Sequence, residues 1–255
     1  MIDVLTAAVL MLPTEESPTP TPTETTTPTP TPTETPTPTP TQTPKPTVRK
    51  APPLAQVYKG KAKIRPGMQG RSVERIQQQL NDVGKPAPTT GVFDKATVRA
   101  YKSFQDKFGY WPTGNVTQKP ALKLKKLAGN GHLPRICRTG RVLCIDKTQL
   151  VLRQMVGGKQ KLVTDVRFGA EATPTREGRH RIYSKVRYLI SQLAGTPMPY
   201  SMFFDGGQAV HFSPGFRRDG YNGASLGCVN VRVYKDAKQL YQTTPVGTLV
   251  YIYRS

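Results

Sequence analysis

The stretch Gln149-Leu-Val-Leu-Arg-Gln-Met-Val-Gly-Gly-Lys-Gln-Lys-Leu-Val-Thr-Asp-Val-Arg-Phe168 decides the fold class of the second half of this chain. Two runs rich in β-branched and large apolar residues flank Gly157-Gly158, and paired glycines supply the positive φ that a two-residue hairpin turn demands. Working outward, Arg141-Val-Leu-Cys-Ile-Asp146 has the same character. A second glycine pair follows Asp205 and separates Ser201-Met-Phe-Phe204 from Gln208-Ala-Val-His-Phe212. Thr248-Leu-Val-Tyr-Ile-Tyr253 reads as a last strand, and Tyr234 to Gln242 as one short helix. Strand after strand with Gly and Pro turns predicts a mostly-β sandwich or barrel over residues 134–255.

Upstream the period changes. Between residues 58 and 130, Val73, Ile76, Leu80 and Val83 recur at three- and four-residue steps after Ser72, a candidate N-cap. Asp94 caps a second pattern, Val98, Tyr101, Phe104 and Phe108, and Thr117 opens a third bearing Leu122 and Leu127. This is a small all-α three-helix unit whose modest core suits a binding module better than an enzyme. Residues 1–57 differ again. An apolar start, too short for the ~20-residue helix that spans a bilayer, resembles the apolar core of a secretory signal but has no preceding positive charge. From Pro18 to Pro46 the chain is a near Thr-Pro alternation, which predicts a disordered, extended polyproline linker. Its threonines are candidate O-glycosylation sites on an extracellular stalk.

The formal net charge is +21, and none of the basic residues precedes Lys45. Such a field favours a polyanion, whether an anionic wall polymer, a membrane surface or a nucleic acid. Nucleic acid is not expected, because the positive residues are scattered rather than interleaved with aromatics and no base-reading motif is present.

The cysteine count of three is odd. Cys137 and Cys144 flank a Thr-Gly-Arg turn and suit a disulfide; zinc is the rival, with His132 as a third ligand and no fourth in view. Cys228 is left over, as a free reactive thiol would be. It sits in Gly223-Ala-Ser-Leu-Gly-Cys-Val-Asn-Val-Arg232 at a loop-to-strand junction, where Gly227 lets the backbone come close to a ligand. A thiol attacks only as thiolate and needs a neighbouring base or positive charge. His211, at the end of the preceding strand, is the histidine placed to meet it. On spacing alone, a buried structural cysteine and an unrelated histidine remain open.

Two resemblances bear on this. Gly67 to Leu80, followed by Gly91-Val-Phe-Asp-Lys-Ala-Thr-Val-Arg-Ala-Tyr-Lys-Ser-Phe-Gln105, resembles the three-helix peptidoglycan-binding domain of cell-wall hydrolases and transferases. His211, its following loop and Ser225-x-Gly227-Cys228-Val-Asn230, with Met198-Pro-Tyr200 upstream, resemble the L,D-transpeptidase catalytic domain, whose signature is a histidine followed by Ser-His-Gly-Cys. The resemblance implies that Cys228 is the nucleophile and His211 the base, oriented by the backbone carbonyl of Phe212. It implies an oxyanion hole from the N–H groups of Gly227 and Cys228, Ser225 and Asn230 shaping the loop and contacting a stem peptide, and Tyr200 lining the donor pocket. Arg217, Arg218 or Arg232 would grip a stem carboxylate, with solvated loop charges the alternative. His132 and His180 read as linker and strand-face residues. Leu226 departs from the signature where a second histidine is usual.

The implied reaction is attack of Cys228 on a tetrapeptide stem with loss of terminal D-Ala, then resolution of the thioester by the amine of a neighbouring stem. It needs no cofactor and no metal, acts on peptidoglycan outside the cytoplasm, and in the family is inhibited by carbapenems. An L,D-carboxypeptidase using water as acceptor, and an inactive wall-binding protein, are the alternatives.

Overall fold

The computed structural model describes residues 49–130 and 133–255. The readings of the apolar start, the Thr-Pro linker and His132 lie outside these residues.

A short strand β1 (Arg49–Lys50), helix α1 (Leu54–Tyr58) and strand β2 (Met68–Gln69) precede three longer helices, α2 (Arg71–Asp82), α3 (Lys95–Lys107) and α4 (Gln118–Asn130). Asp94 caps α3, its Oδ1 accepting the Thr97 N–H at 2.7 Å. Ser72 does not cap α2. The helix already begins at Arg71, and its N-cap is Gly70 at φ 128°, a conformation that costs serine more than glycine. Val73, Ile76, Leu80, Tyr101, Phe104 and Leu127 form the helical core as their spacing requires. Leu122 is exposed, because Ala121 and Leu124 take the inward positions of α4.

The remaining strands are β3 (Arg141–Asp146), β4 (Val151–Val156), β5 (Lys159–Arg167), β6 (Gly178–Arg181), β7 (Ser184–Val186), β8 (Ser201–Asp205), β9 (Gln208–Phe212), β10 (Val229–Val231) and β11 (Leu249–Tyr253). Helix α5 (Pro214–Asp219) lies between β9 and β10, and α6 (Tyr234–Thr243) between β10 and β11. The strands make one nine-stranded sheet in the order β6-β11-β3-β4-β5-β10-β9-β8-β7, so the β fold is a single curled sheet wrapped round its core rather than two stacked sheets. Polarity hid β6 and β7 from the sequence reading; both sit at or next to sheet edges, where no apolar run is needed.

Side-chain parity explains what the two faces do. Leu162, Val166, Val210, Phe212, Val229 and Val231 point into the core. The alternate positions, among them Asp165, Arg167, His211 and Asn230, therefore fall on the other face. At β4 and β5 that face is covered by the helical part. Lys85 and Lys107 both pair with Asp165, the latter at 2.8 Å. Arg153 Nη2 donates to the Asp82 carbonyl at 2.7 Å, and Gln149 Nε2 to that of Leu127 at 3.1 Å. Gly84 (φ +73°) packs so closely that a Cβ there would meet Val151 at 2.7 Å and Val163 at 2.9 Å.

Cys137, in a 3-10 turn at Arg135–Arg138, is joined to Cys144 of β3 as a disulfide, with Cα atoms 6.0 Å apart. No group of three or more His, Cys, Asp or Glu side chains among the described residues could hold a metal ion. No helix among them is long and apolar enough to cross a membrane.

Candidate active site

Strand β10 is parallel to β9 and antiparallel to β5, with Asn230 opposite His211 on one side and opposite Arg167 on the other. Parallel neighbours cannot be joined by a tight turn. The connection must leave the sheet and return, and it carries α5 and the Cys228 loop over one end of the strands. Residues in register share a face, so His211, Asn230 and Arg167 form a transverse row, with Cys228 two residues before Asn230 and on the same face. All four line one cleft of about 310 Å³. A second cleft, of about 740 Å³, opens on the other side of Cys228 between Thr173, Arg176, Leu193 and Gln208. Met198, Ser191 and Leu226 border both.

The cysteine loop is held by backbone contacts. Gly227 has φ +106°, and a Cβ on it would meet Gln208 Nε2 at 2.6 Å. Gly169 is as tight: its Cβ would fall 1.9 Å from the Thr173 carbonyl oxygen and 2.8 Å from Gly227 Cα. Two glycines therefore allow the Thr173–Thr175 segment, β5 and the cysteine loop to meet. Ser225 Oγ donates to the Cys228 carbonyl at 2.6 Å and accepts the Gly227 N–H at 3.2 Å. Thr175 Oγ1 accepts the Gly169 N–H at 3.0 Å, and Gln208 accepts the Arg176 N–H and donates to the Pro174 carbonyl, each at 3.0 Å.

Electrostatics fix the resting protonation. His211 Nδ1 lies 2.7 Å from the Phe212 carbonyl oxygen, which can only accept, so Nδ1 carries the proton and Nε2 is left with its lone pair. Burial pushes the imidazolium down to about 4, offset in part by the Phe212 carbonyl and the nearby Asn230 amide. Burial likewise pushes the Cys228 thiol up, offset in part by the Ala209 N–H. Near neutral pH the pair therefore rests as thiol and imidazole, and thiolate forms only when the imidazole takes the proton.

Three expectations change. Tyr200 is absent from both clefts: held at φ +60°, it packs in the sheet core and its hydroxyl bonds that of Tyr234 at 3.1 Å. Arg232 does not face the cleft either; it pairs at 3.2 Å with Asp106 of α3. The Gly227 N–H is already taken by Ser225 Oγ, so the Cys228 N–H is the oxyanion donor left free in this state. Arg218 lines the first cleft while bonding Asp219 at 2.7 and 2.9 Å. Arg217 lines neither cleft. His180 lies on β6, 3.8 Å from Asp205 and away from both clefts. Arg167 is the cleft residue that sequence reading missed. Its signal was a charged residue near the inner end of an apolar strand, but only the β5–β10 register shows where it points.

Residues 140–252 match the family model of the L,D-transpeptidase catalytic domain, and residues 69–119 that of the putative peptidoglycan binding domain. No curated protein sequence matches the chain. Among solved structures, an L,D-transpeptidase from Stackebrandtia nassauensis shares the fold at 23% identity, covering 74% of this chain and 94% of that one, with a TM-score of 0.53. An L,D-transpeptidase fragment from Xylanimonas cellulosilytica is 27% identical over 74% of this chain and 97% of its own, with a TM-score of 0.48.

Proposed function

We propose that this chain, which joins an L,D-transpeptidase catalytic domain to a peptidoglycan-binding domain, transfers acyl groups between peptidoglycan stem peptides through Cys228. The observation that carries this reading is the shared cleft: the one free cysteine among the described residues opens onto it beside a buried imidazole whose Nε2 is unprotonated.

The steps follow from that arrangement. His211 Nε2 takes the Cys228 proton as Sγ attacks the carbonyl carbon of the diamino-acid residue of a tetrapeptide donor. The carbonyl electron pair moves to oxygen, where the Cys228 N–H stabilises it; one such donor contributes on the order of 3 kcal/mol in acyl transfer. Collapse re-forms the C=O and breaks the peptide bond, and the imidazolium returns its proton to the departing amine of D-Ala. The thioester is then attacked by an acceptor amine, which gives its proton to His211 as the C–S bond breaks, and the thiol is regenerated. Because an imidazolium with a pKa of about 4 is strongly acidic, it is a good proton donor to the leaving amine.

The two clefts meeting at Cys228 support an amine acceptor over water, since water needs no second cleft of this size. The binding module, fixed on the same sheet face, would hold the enzyme against the wall, and the positive net charge would favour anionic polymers there. Such a substrate places the protein outside the cytoplasm.

Intact mass after incubation with a carbapenem or a tetrapeptide donor tests the reading. A single adduct on the wild type, lost in Cys228→Ala and in His211→Ala, is expected. No adduct on the folded wild type refutes it, and release of the free tripeptide acid together with D-Ala, without cross-linked product, would assign the carboxypeptidase activity instead.

A further inference from the structure

Arg167 is 7% exposed, yet among the described residues its guanidinium pairs with no carboxylate: no ion pair involves it, Nε has no hydrogen-bond partner, and Nη1 donates to the Gly220 carbonyl at 2.9 Å. The nearest acid of the loop, Asp219, gives both oxygens to Arg218 and attracts Arg167 only across a gap, without a hydrogen bond. A buried cation with an unpartnered donor is costly, and such a group is retained where an anion completes it. Its position is fixed from three sides. The β5 register sets its Cα opposite Asn230, Phe216 lies 5.1 Å beneath the guanidinium, and a Cβ on Gly223 would meet Nη1 at 2.9 Å. Asn230 Oδ1, next to it in the row and 5% exposed as a residue, also has no hydrogen-bond partner.

We propose that Arg167 is a specificity-determining residue that grips the terminal carboxylate of the amino acid expelled from the donor peptide. This rests on the acyl-transfer reading above. The imidazole that returns a proton to the leaving amine must lie on the leaving-group side of the attacked carbonyl. The row runs from His211 through Asn230 to Arg167, one side chain per strand on strands about 4.8 Å apart, so an amine held at His211 has Asn230 and then Arg167 as its neighbours across the row. In an expelled α-amino acid the carboxylate is two bonds beyond the amine nitrogen, so it points along the row towards the guanidinium, while Asn230 Oδ1 accepts the N–H in between. A planar guanidinium matches a carboxylate with two parallel hydrogen bonds and an ammonium does not. Arg167 thereby selects donors in which the attacked bond is the last one, because a residue further along the chain has an amide where the carboxylate should be.

The test compares two tetrapeptide donors, one with a free terminal D-Ala carboxylate and one with that carboxylate converted to the carboxamide. Wild-type kcat/KM falls roughly 10- to 100-fold on amidation, the span of a charge-assisted hydrogen bond. Arg167→Met loses most activity on the free acid and brings the acid-to-amide ratio close to one. Arg167→Lys keeps part of the ratio, and Arg181→Met, on β6 and lining neither cleft, keeps all of it. A purely structural Arg167 would lower both donors equally and leave the ratio unchanged; that result overturns the inference, as does a wild type that turns over acid and amide alike, which needs no variant to fold. Absence of any turnover or acyl adduct with either donor overturns the catalytic reading and this inference with it.

Discussion

Replacing Asp165 by alanine should loosen the attachment of the helical part to the sheet more than any exposed ion pair could. Burial alone would push this carboxyl up, but Lys107 and Lys85 more than offset that and hold it at about 2. Against an ordinary value near 3.9, this corresponds to about 2 to 3 kcal/mol of favourable interaction in the folded state. Deletion also strands two ammoniums whose side chains are 5% and 0% exposed. Breaking a buried pair from one side costs about 3 to 5 kcal/mol. The two routes agree on a loss of about 3 kcal/mol at pH 7. Urea unfolding of Asp165→Ala measures it, with Asp106→Ala as the exposed control, expected below about 1 kcal/mol. The pH dependence adds a sign. Lys107 is pushed down to about 8 by its burial and by Lys85, against the attraction of Asp165. Above pH 8 it is neutral in the folded wild type, so less is left to strand and the loss should shrink at pH 9. A loss no larger than that of Asp106→Ala, or one that grows from pH 7 to 9, refutes the reasoning.

Three further outcomes are expected. The acid limb of kcat/KM should fall near pH 4, because His211 must be neutral to accept the thiol proton and its folded pKa is about 4; a limb near 6.5 would contradict the burial argument. Since the unfolded imidazole titrates near 6.5, the folded state also loses about 3 kcal/mol as pH falls from 6.5 through 4, and His211→Gln should flatten that part of the stability profile in calorimetry. Gly227→Ala should abolish acylation in the mass assay while costing about 1 to 3 kcal/mol in unfolding, because φ +106° and the Gln208 contact both exclude a Cβ. Phe212→Leu should lower stability by about 1 kcal/mol but leave kcat unchanged per folded molecule, since only the Phe212 carbonyl touches the imidazole.

The sequence by itself determined the elements whose causes are local. Gly157-Gly158 and Gly206-Gly207 turn with positive φ at all four positions, and the strands they join match their apolar runs to within two residues. Asp94 caps its helix, and Cys228 is singled out by cysteine arithmetic together with a resemblance in its motif. Tertiary structure decided everything that depends on register and face. A one-residue parity sends Val210 and Phe212 inward and His211 outward, and a parallel pairing that no local signal announces puts His211 and Arg167 on either side of Asn230. Sequence proximity therefore misplaced the arginine: Arg232 is four residues from Cys228 but reaches α3, whereas Arg167, 61 residues away, enters the cleft because a neighbouring strand lies closer than the next turn of the same one.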